Sequence, residues 1–265
     1  MSTRKMTVAG AFYPNEQGEI ENMFEHYNDI LDKNLKQNEI LSRQPRAIIV
    51  PHAGYIYSAF TANIAYRVLA NTKAKRAVVI GPSHKIYLSG SSISEYDEYQ
   101  TPFGDLKIDT DLVKELKENF GFSFIPEAHN EHSTEVQMPF LKRYMKDISV
   151  VEIVYGDEKP EHLERAIDYI LKDDESVVVI SSDLSHYYDL QKANKLDGIC
   201  LEAIQNLKTN ELHQGCEACG KIGIEAIMLT AIVNHLKPIL LDYRTSADAS
   251  GNKNEVVGYM SAAFI

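Results

Sequence analysis

Three runs of β-branched apolar residues, each followed within a few positions by a histidine, constrain the fold of this chain more than any other feature. The runs lie at 46–50, 76–80 and 177–181, and the histidines are His52, His84 and His186. Val and Ile in such runs are typical of strands that are covered on both faces of a parallel sheet. Ligands bind beyond the carboxyl ends of such strands, so we expect the histidines to converge if their strands are neighbours.

Helical patterns alternate with the strand patterns along the whole chain. Helices are predicted at 16–37, 58–69, 109–120, 133–145, 160–172, 190–207 and 220–236. Further strands are predicted at 148–155, 238–244 and 255–265, with a loop or hairpin at 87–108. This alternation predicts one α/β domain over residues 1–265, with a mainly parallel, mixed central sheet flanked by helices.

The acidic composition limits the partners of the protein. The 265 residues include 27 Lys and Arg against 38 Asp and Glu, which gives a formal net charge of −11. Nucleic acids and anionic membranes select basic surfaces, so we expect neither as a partner. No apolar run reaches the roughly 18 residues of a membrane span, and the first apolar stretch is too short for a signal peptide. We therefore expect a cytoplasmic protein.

The histidines favour a shared site because all three have the same placement. A single histidine after a strand is often an ordinary loop residue, whereas three at equivalent positions are harder to explain in that way. Imidazole is the commonest metal ligand and also titrates near neutral pH. The pattern therefore indicates either metal binding or proton transfer.

The segment SSDLSH places Asp183 three residues before His186. A carboxylate and an imidazole at one strand end can act as an acid–base pair or as a carboxylate–histidine metal pair. In the alternative interpretation, Ser181, Ser182 and Asp183 cap the next helix. That alternative leaves His186 without a role.

The segment HNEHSTE contains a second group of polar residues, His129, Glu131, His132 and Glu135. Asn130 or Ser133 could cap the helix that follows, and a structural role is favoured for Glu135. His132 would then lie at the start of the helix as a possible fourth polar group of the site. The metalloprotease pattern H-E-x-x-H is absent.

The cysteines and the remaining motifs give weaker indications. Cys200, Cys216 and Cys219 are too few for a disulfide framework, and the C-x-x-C spacing of the last two lacks the second pair of a zinc site. A redox pair at a helix start is possible, but a structural or incidental role is favoured. The G-x-G-x-x-G and P-loop patterns are absent, so no nucleotide cofactor is expected.

Five segments in order resemble the Memo family, also called AmmeMemoRadiSam system protein B. They are VAGAFYP, PHAGYIYSA, GPSHK, EHSTEVQMPFL and SSDLSHY. The resemblance runs from Val8 to the final predicted strand. It implies a fold similar to that of class III extradiol ring-cleaving dioxygenases, which are non-haem iron enzymes.

The resemblance also implies roles for individual residues. His52 and His84 match the metal-ligand histidines, which would bind Fe(II) or copper. Asp183 and His186 match a further site pair, and His132 matches a residue beside the pocket. These three are the expected catalytic residues. Residues expected to line that pocket are Tyr55, Tyr57, Ser83 and Asp248.

The chain departs from the family pattern at one position. Eukaryotic relatives are described with a cysteine as the third metal ligand, and counting from Tyr243 places Ala249 there, beside Asp248. The third ligand would then be Asp248, Asp183, His186 or water. Two histidines and one carboxylate would suit Fe(II).

Three functional hypotheses follow. The first is a metal-dependent, dioxygenase-like redox enzyme. The second is a non-catalytic adaptor that binds a peptide or small ligand in the same pocket, as eukaryotic relatives are described to do. A hydrolase or transferase built on Ser83, His186 and Asp183 ranks last, because the G-x-S-x-G nucleophile elbow is missing. Prokaryotic relatives often accompany a radical-SAM protein and an AMMECR-type protein, so the resemblance implies these as partners.

Overall fold

Strands and helices alternate along most of the chain in the computed structural model, which describes residues 2–35 and 39–265. The strands are β1 (Thr3–Arg4), β2 (Ala47–Val50), β3 (Arg76–Pro82), β4 (Ser91–Ile93), β5 (Glu98–Tyr99), β6 (Leu106–Ile108), β7 (Ser149–Tyr155), β8 (Ser176–Ser181), β9 (His186–Tyr188), β10 (Pro238–Thr245) and β11 (Val256–Phe264). The α-helices are α1 (Gln17–Leu35), α2 (Tyr55–Leu69), α3 (Thr110–Phe120), α4 (His132–Glu135), α5 (Met138–Tyr144), α6 (Pro160–Leu171), α7 (Leu190–Gln205), α8 (Thr209–Leu212), α9 (Lys221–Asn234) and α10 (Ala247–Ser250). Short 3₁₀ helices occupy Glu39–Ser42 and Pro126–His129.

The centre of the sheet consists of parallel strands in the order β6-β7-β3-β8-β2. Strand β8 therefore lies between β2 and β3, although it follows both in the chain. Ile180 of β8 is in register with Ile49 of β2 on one side and with Ile80 of β3 on the other. The carboxyl ends of these three strands consequently meet at one edge of the sheet, as the sequence analysis required for a shared histidine site.

Antiparallel strands complete the sheet and make it mixed. Strand β11 is antiparallel to β2, and β10 is antiparallel to β11. Strand β4 is antiparallel to β7, and β9 is antiparallel to β11. At the other edge, β5 is antiparallel to β6, and β1 is parallel to β5.

Helices α1, α2 and α5 pack together as one group, and α3, α6 and α9 as another. The predicted α/β fold with a mainly parallel, mixed sheet flanked by helices is confirmed.

The structure divides one predicted helix and shifts the ends of others. The helix expected over 133–145 is two short helices, α4 and α5, and Pro139 lies in the first turn of α5. Proline has no backbone N–H, so it cannot extend a helix through this position. The region 87–108 contains three short strands, and residues 36 and 37 of the first predicted helix lie outside the described part of the chain. Among the described residues, no helix is long and apolar enough to cross a membrane.

Candidate metal centre

Three histidines meet at the carboxyl edge of the sheet. His52 follows β2, His84 follows β3, and His132 is the first residue of α4. Their ring centroids are 5.1 Å apart for His52 and His84, 5.4 Å for His52 and His132, and 4.6 Å for His84 and His132. One ring nitrogen from each histidine lies within 4.8 Å of the other two, which is close enough to hold a metal ion.

Close packing of α4 against β3 brings His132 to the cluster. A Cβ atom at Gly81 would come within 2.7 Å of the Ser133 hydroxyl oxygen, so only glycine leaves room for α4 here. The Ser133 hydroxyl in turn donates a hydrogen bond of 2.7 Å to the carbonyl of Pro82. His132 therefore reaches the strand end that carries His84.

A buried carboxylate, Glu131, orients two of the three imidazoles. One carboxylate oxygen lies 3.3 Å from Nδ1 of His84 and 2.8 Å from Nδ1 of His132. The other accepts a 2.6 Å hydrogen bond from the backbone N–H of His84. Burial alone would raise the pKa of Glu131, but the hydrogen bonds from His132 and His84 hold that pKa far below its usual range. Glu131 is therefore an anion that binds the Nδ1 side of both rings.

Glu131 also corrects the sequence interpretation of this segment. The expected caps of the helix were Asn130 or Ser133, but the Glu131 side chain accepts hydrogen bonds from the N–H groups of His132 and Ser133. The position of Glu131 directly before a candidate site histidine is the signal in the sequence that indicates this role.

The hydroxyl of Ser181 orients the third imidazole, that of His52. Nδ1 of His52 lies 2.9 Å from the Ser181 oxygen, while the Ser181 proton is donated to the carbonyl of Ser133. The amide of Gln137 donates a further 2.9 Å hydrogen bond to Ser181. The Ser181 oxygen must therefore accept a hydrogen bond from Nδ1 of His52. Nδ1 consequently carries the proton, and Nε2 has a free lone pair.

The donor set fits a transition metal ion. All three Nδ1 atoms face an oxygen acceptor, which leaves the Nε2 lone pairs as the ligands. Carboxylate or hydroxyl partners of this kind fix the tautomer and orientation of metal-binding histidines. Burial, together with any charge on His84 and His132, holds the pKa of His52 well below its usual value, so His52 is neutral.

Asp183 lies beside the cluster. Its Oδ1 accepts a 2.7 Å hydrogen bond from the backbone N–H of His52, and its Oδ2 lies 4.0 Å from His52 Nε2. Burial raises the pKa of Asp183, although the hydrogen bond from His52 and the charge of His186 oppose that shift. The capping interpretation of Ser181–Asp183 is wrong, because β9 follows this segment and α7 is capped by Asp189.

His186, the first residue of β9, is outside the group of three histidines. It is half-buried and close enough for its charge to act on both Asp183 and His52.

The bonding of the three cysteines differs from what the C-x-x-C spacing in the sequence suggests. Cys200 and Cys216 form a disulfide, so the suggested redox pair of Cys216 and Cys219 is wrong. Cys219 is a free thiol, and its Sγ lies 3.2 Å from Nε2 of His52. Burial and the nearby Asp183 raise the pKa of the Cys219 thiol to about 12. The sequence offered no reason to place this residue beside a histidine 167 positions earlier.

The residues expected to line one pocket lie at three different cavities. Tyr55 and Tyr57 line a cavity of about 450 Å³, together with Phe12, whose ring is 4.6 Å from that of His132. Ser83 lines a cavity of about 300 Å³ that Cys219 also lines. Asp248 lines a third cavity of about 400 Å³ and accepts a 2.8 Å hydrogen bond from the backbone N–H of Thr245.

A mixed α/β sheet with three histidines at the carboxyl ends of its strands defines a protein with a candidate metal centre. The chain belongs to the Memo family, since the sequence model described as Memo-like protein matches residues 4–263. It is 32% identical over 276 residues to a MEMO1 family protein of Aquifex aeolicus, with all of both chains covered. MEMO1 family proteins of Metallosphaera sedula and Saccharolobus solfataricus are each 34% identical, and the alignments cover 98% of this chain and 99% of each relative.

Proposed function

We propose that this Memo family protein is a metal-dependent redox enzyme of the non-haem iron or copper type, related in its chemistry to dioxygenases. His52, His84 and His132 would bind one ion through their Nε2 atoms. The observation that carries the proposal is the arrangement of these three rings, each with Nδ1 directed at an oxygen acceptor. The bound ion would supply electron transfer and a position at which substrate or oxygen can bind.

The residues around the cluster have separate tasks in this proposal. Glu131 and Ser181 hold the imidazoles in the tautomer that binds a metal. Asp183 would accept or release a proton at Oδ2, which lies 4.0 Å from Nε2 of His52, and burial raises the pKa of this carboxyl. His186 is half-buried and would pass the proton between Asp183 and solvent.

The cavity beside His132 is the proposed site of a small-molecule or peptide ligand. It measures about 450 Å³, and Phe12, Tyr55 and Tyr57 contribute aromatic surface to it. The same cavity supports the second candidate function, in which the protein binds such a ligand as an adaptor without turnover. The two functions differ in whether a bound metal takes part in chemical turnover of the ligand.

Partners and location are also part of the proposal. A radical-SAM protein and an AMMECR-type protein are proposed to act with this chain in the cytoplasm. Affinity purification of the tagged protein from its own host, followed by mass spectrometry, would test both partners.

The proposal is tested by measuring bound metals after anaerobic purification. We expect about one iron or copper ion per chain in the wild type. The double variant His52→Ala/His84→Ala should lose it, while the control His26→Ala/His213→Ala, which removes two exposed histidines, should keep it. A wild-type protein that contains no metal and takes up neither Fe(II) nor Cu(I) would contradict the metal-dependent function.

Oxygen consumption separates the two candidate functions once the metal is established. The loaded protein would be screened against catechol-like substrates. Turnover that the His52→Ala/His84→Ala variant lacks supports the enzyme. Ligand binding that survives in that variant, with no turnover in the wild type, supports the adaptor.

A further inference from the structure

We infer that Asp197 is a positioning residue for His186, because its buried carboxylate holds the backbone beside this histidine in place. The inference rests on the proposed function, in which His186 passes a proton between Asp183 and solvent. Asp197 lies on α7 and is fully buried. A carboxylate removed from water in this way needs hydrogen-bond partners within the fold, and the identity of those partners indicates its task.

Both oxygens of the Asp197 carboxylate accept hydrogen bonds from other segments of the chain. Oδ1 accepts a 2.9 Å hydrogen bond from the backbone N–H of Ser185, the residue directly before His186. Oδ2 accepts a 2.8 Å hydrogen bond from the hydroxyl of Tyr243 on β10. The carboxylate therefore connects the backbone beside His186 to the strand at one edge of the sheet.

The carboxylate of Asp197 also packs directly against the backbone of β11. A Cβ atom at Gly258 would collide with Oδ2 and lie 2.7 Å from Cγ of Asp197, so only glycine leaves room for the carboxylate. The N–H of Gly258 donates a 3.0 Å hydrogen bond to the carbonyl of Ser185, and its carbonyl accepts a 2.8 Å hydrogen bond from Leu184. The carboxylate, β11 and the segment before His186 thus form one closely packed unit.

The backbone after His186 needs such contacts because its conformation is unfavourable. Tyr187 has a φ of +63°, in the left-handed region that a bulky side chain rarely adopts. It is the extra residue of a bulge, since β9 advances two residues from His186 to Tyr188 where β11 advances one. Bulges redirect side chains, and unfavourable backbone persists only where surrounding contacts maintain it. The hydrogen bond from Ser185 to Asp197 supplies such a contact from a helix outside the sheet.

The charge of His186 acts on two buried carboxyl groups. Burial raises the pKa of Asp197, although the hydrogen bonds that it accepts and the charge of His186 oppose that shift. The same charge acts on Asp183. The two carboxyl groups have different partners, since Asp183 accepts from the backbone of His52 and Asp197 from the backbone beside His186. Asp183 would exchange the proton, whereas Asp197 would hold the group that carries it.

NMR spectroscopy tests the inference by measuring the orientation of the His186 ring. In protein labelled with carbon-13 and nitrogen-15, the couplings between the backbone and Cγ report whether χ1 occupies one staggered rotamer or several. We expect one rotamer in the wild type and averaging in Asp197→Ala. Asp197→Asn keeps an oxygen that accepts from Ser185 and should restore the single rotamer. The control Asp189→Ala removes the cap of the same helix, which bonds to Lys192, and should leave χ1 unchanged.

Turnover provides a second readout that a general loss of structure would not reproduce. With a catechol-like substrate that the metal-loaded wild type oxidises, Asp197→Ala should lower kcat per bound metal about 100-fold. KM should stay the same, because the cavity beside His132 does not include α7. A variant that was merely destabilised would lose bound metal and activity in proportion.

The outcomes separate this inference from the proposed function. An averaged χ1 of His186 in the wild type, or a single rotamer in Asp197→Ala, would overturn the role of Asp197. If Asp197→Ala does not fold, Tyr243→Phe decides in the same way, because Tyr243 lines an open cavity and its loss frees Oδ2 of Asp197. A single rotamer in a wild type that shows no turnover would contradict the redox enzyme and leave the positioning of His186 intact.

Discussion

Ser181 accepts a hydrogen bond of 2.9 Å from Nδ1 of His52, and this bond determines which nitrogen of His52 faces the cluster. The Ser181 proton is already donated to the carbonyl of Ser133, so the oxygen has no second proton to offer. The most buried histidine of the site is thereby held as the tautomer that can bind a metal through Nε2.

Replacing Ser181 with alanine is expected to weaken metal binding about 10- to 100-fold, because the orientation of His52 is lost. The change also leaves the buried Nδ1–H of His52 without its acceptor and removes one of the two acceptors of the Gln137 amide, which keeps the Pro51 carbonyl, at a cost of about 1–3 kcal/mol in the free energy of unfolding. Competition with a chelator measures the affinity, and urea denaturation measures the stability. Ser83→Ala is the control, because that hydroxyl bonds to the carbonyl of Ile86 and to no histidine. Equal affinities of the two variants would contradict the role of Ser181.

Glu131→Gln should weaken metal binding by a similar factor of about 10 to 100. The neutral amide keeps the shape of the side chain but removes the negative charge that binds Nδ1 of His84 and of His132. Metal affinity would be measured beside Glu127→Gln, an exposed glutamate four residues earlier. An unchanged affinity in Glu131→Gln would show that the carboxylate does not orient the imidazoles.

Glu135, another buried glutamate, holds the N-terminal segment in place through hydrogen bonds and an ion pair. Glu135 accepts hydrogen bonds from the N–H groups of Thr7 and Val8 and from the hydroxyl of Tyr13, and it forms an ion pair with buried Arg4. Glu135→Ala leaves the Arg4 charge unpaired, so we expect a loss of about 3–5 kcal/mol in the free energy of unfolding. Removing the partly exposed pair of Arg143 and Glu21 by Glu21→Ala should cost about 1 kcal/mol or less.

Acid should destabilise the protein through the same carboxylate. Burial alone would raise the pKa of Glu135, but the charge of Arg4 and the hydrogen bonds from Thr7 and Val8 lower it below the ordinary value of 4.5. The unfolded chain therefore takes up the proton first, so this stabilisation is complete above pH 4.5 and is lost as the pH falls below it. Unfolding free energies measured across this range should fall less steeply in Glu135→Gln. Parallel curves for the two proteins would refute the assignment.

The disulfide should contribute about 3 kcal/mol to stability, since Cys200 and Cys216 are 16 residues apart. Dithiothreitol should lower the urea midpoint of the wild type and of Cys219→Ser, but not that of Cys200→Ser/Cys216→Ser. Alkylation of the unreduced, unfolded wild type should label Cys219 alone. Labelling of all three cysteines would contradict the disulfide.

Local patterns in the sequence were sufficient for the strands and for the histidines at their ends. The β-branched runs before His52 and His84 form buried strands because such residues pack well between two covering layers. No local pattern, however, places β8 between β2 and β3, because strand order depends on pairing between distant segments.

Cys219 and Ser181 were missed as site residues for the same reason. Cys219 belongs to a loop without periodicity, and its contact with His52 exists only in the folded sheet. The C-x-x-C spacing suggested a partner close in sequence, whereas Cys216 pairs with Cys200 on α7. The hydroxyl of Ser181 was considered as a cap because its true partners, Gln137 and the Ser133 carbonyl, lie more than 40 residues away.

The position of β8 between β2 and β3 has a consequence for synthesis on the ribosome. A nascent chain that ends before Ser176 already contains His52, His84 and His132, but the strand that separates β2 from β3 has not yet been made. The two outer strands cannot take their final spacing until β8 has left the exit tunnel and inserted between them. The three imidazoles therefore come together only when translation has passed β8, and the growing polypeptide has no means of holding them in the native arrangement before that point.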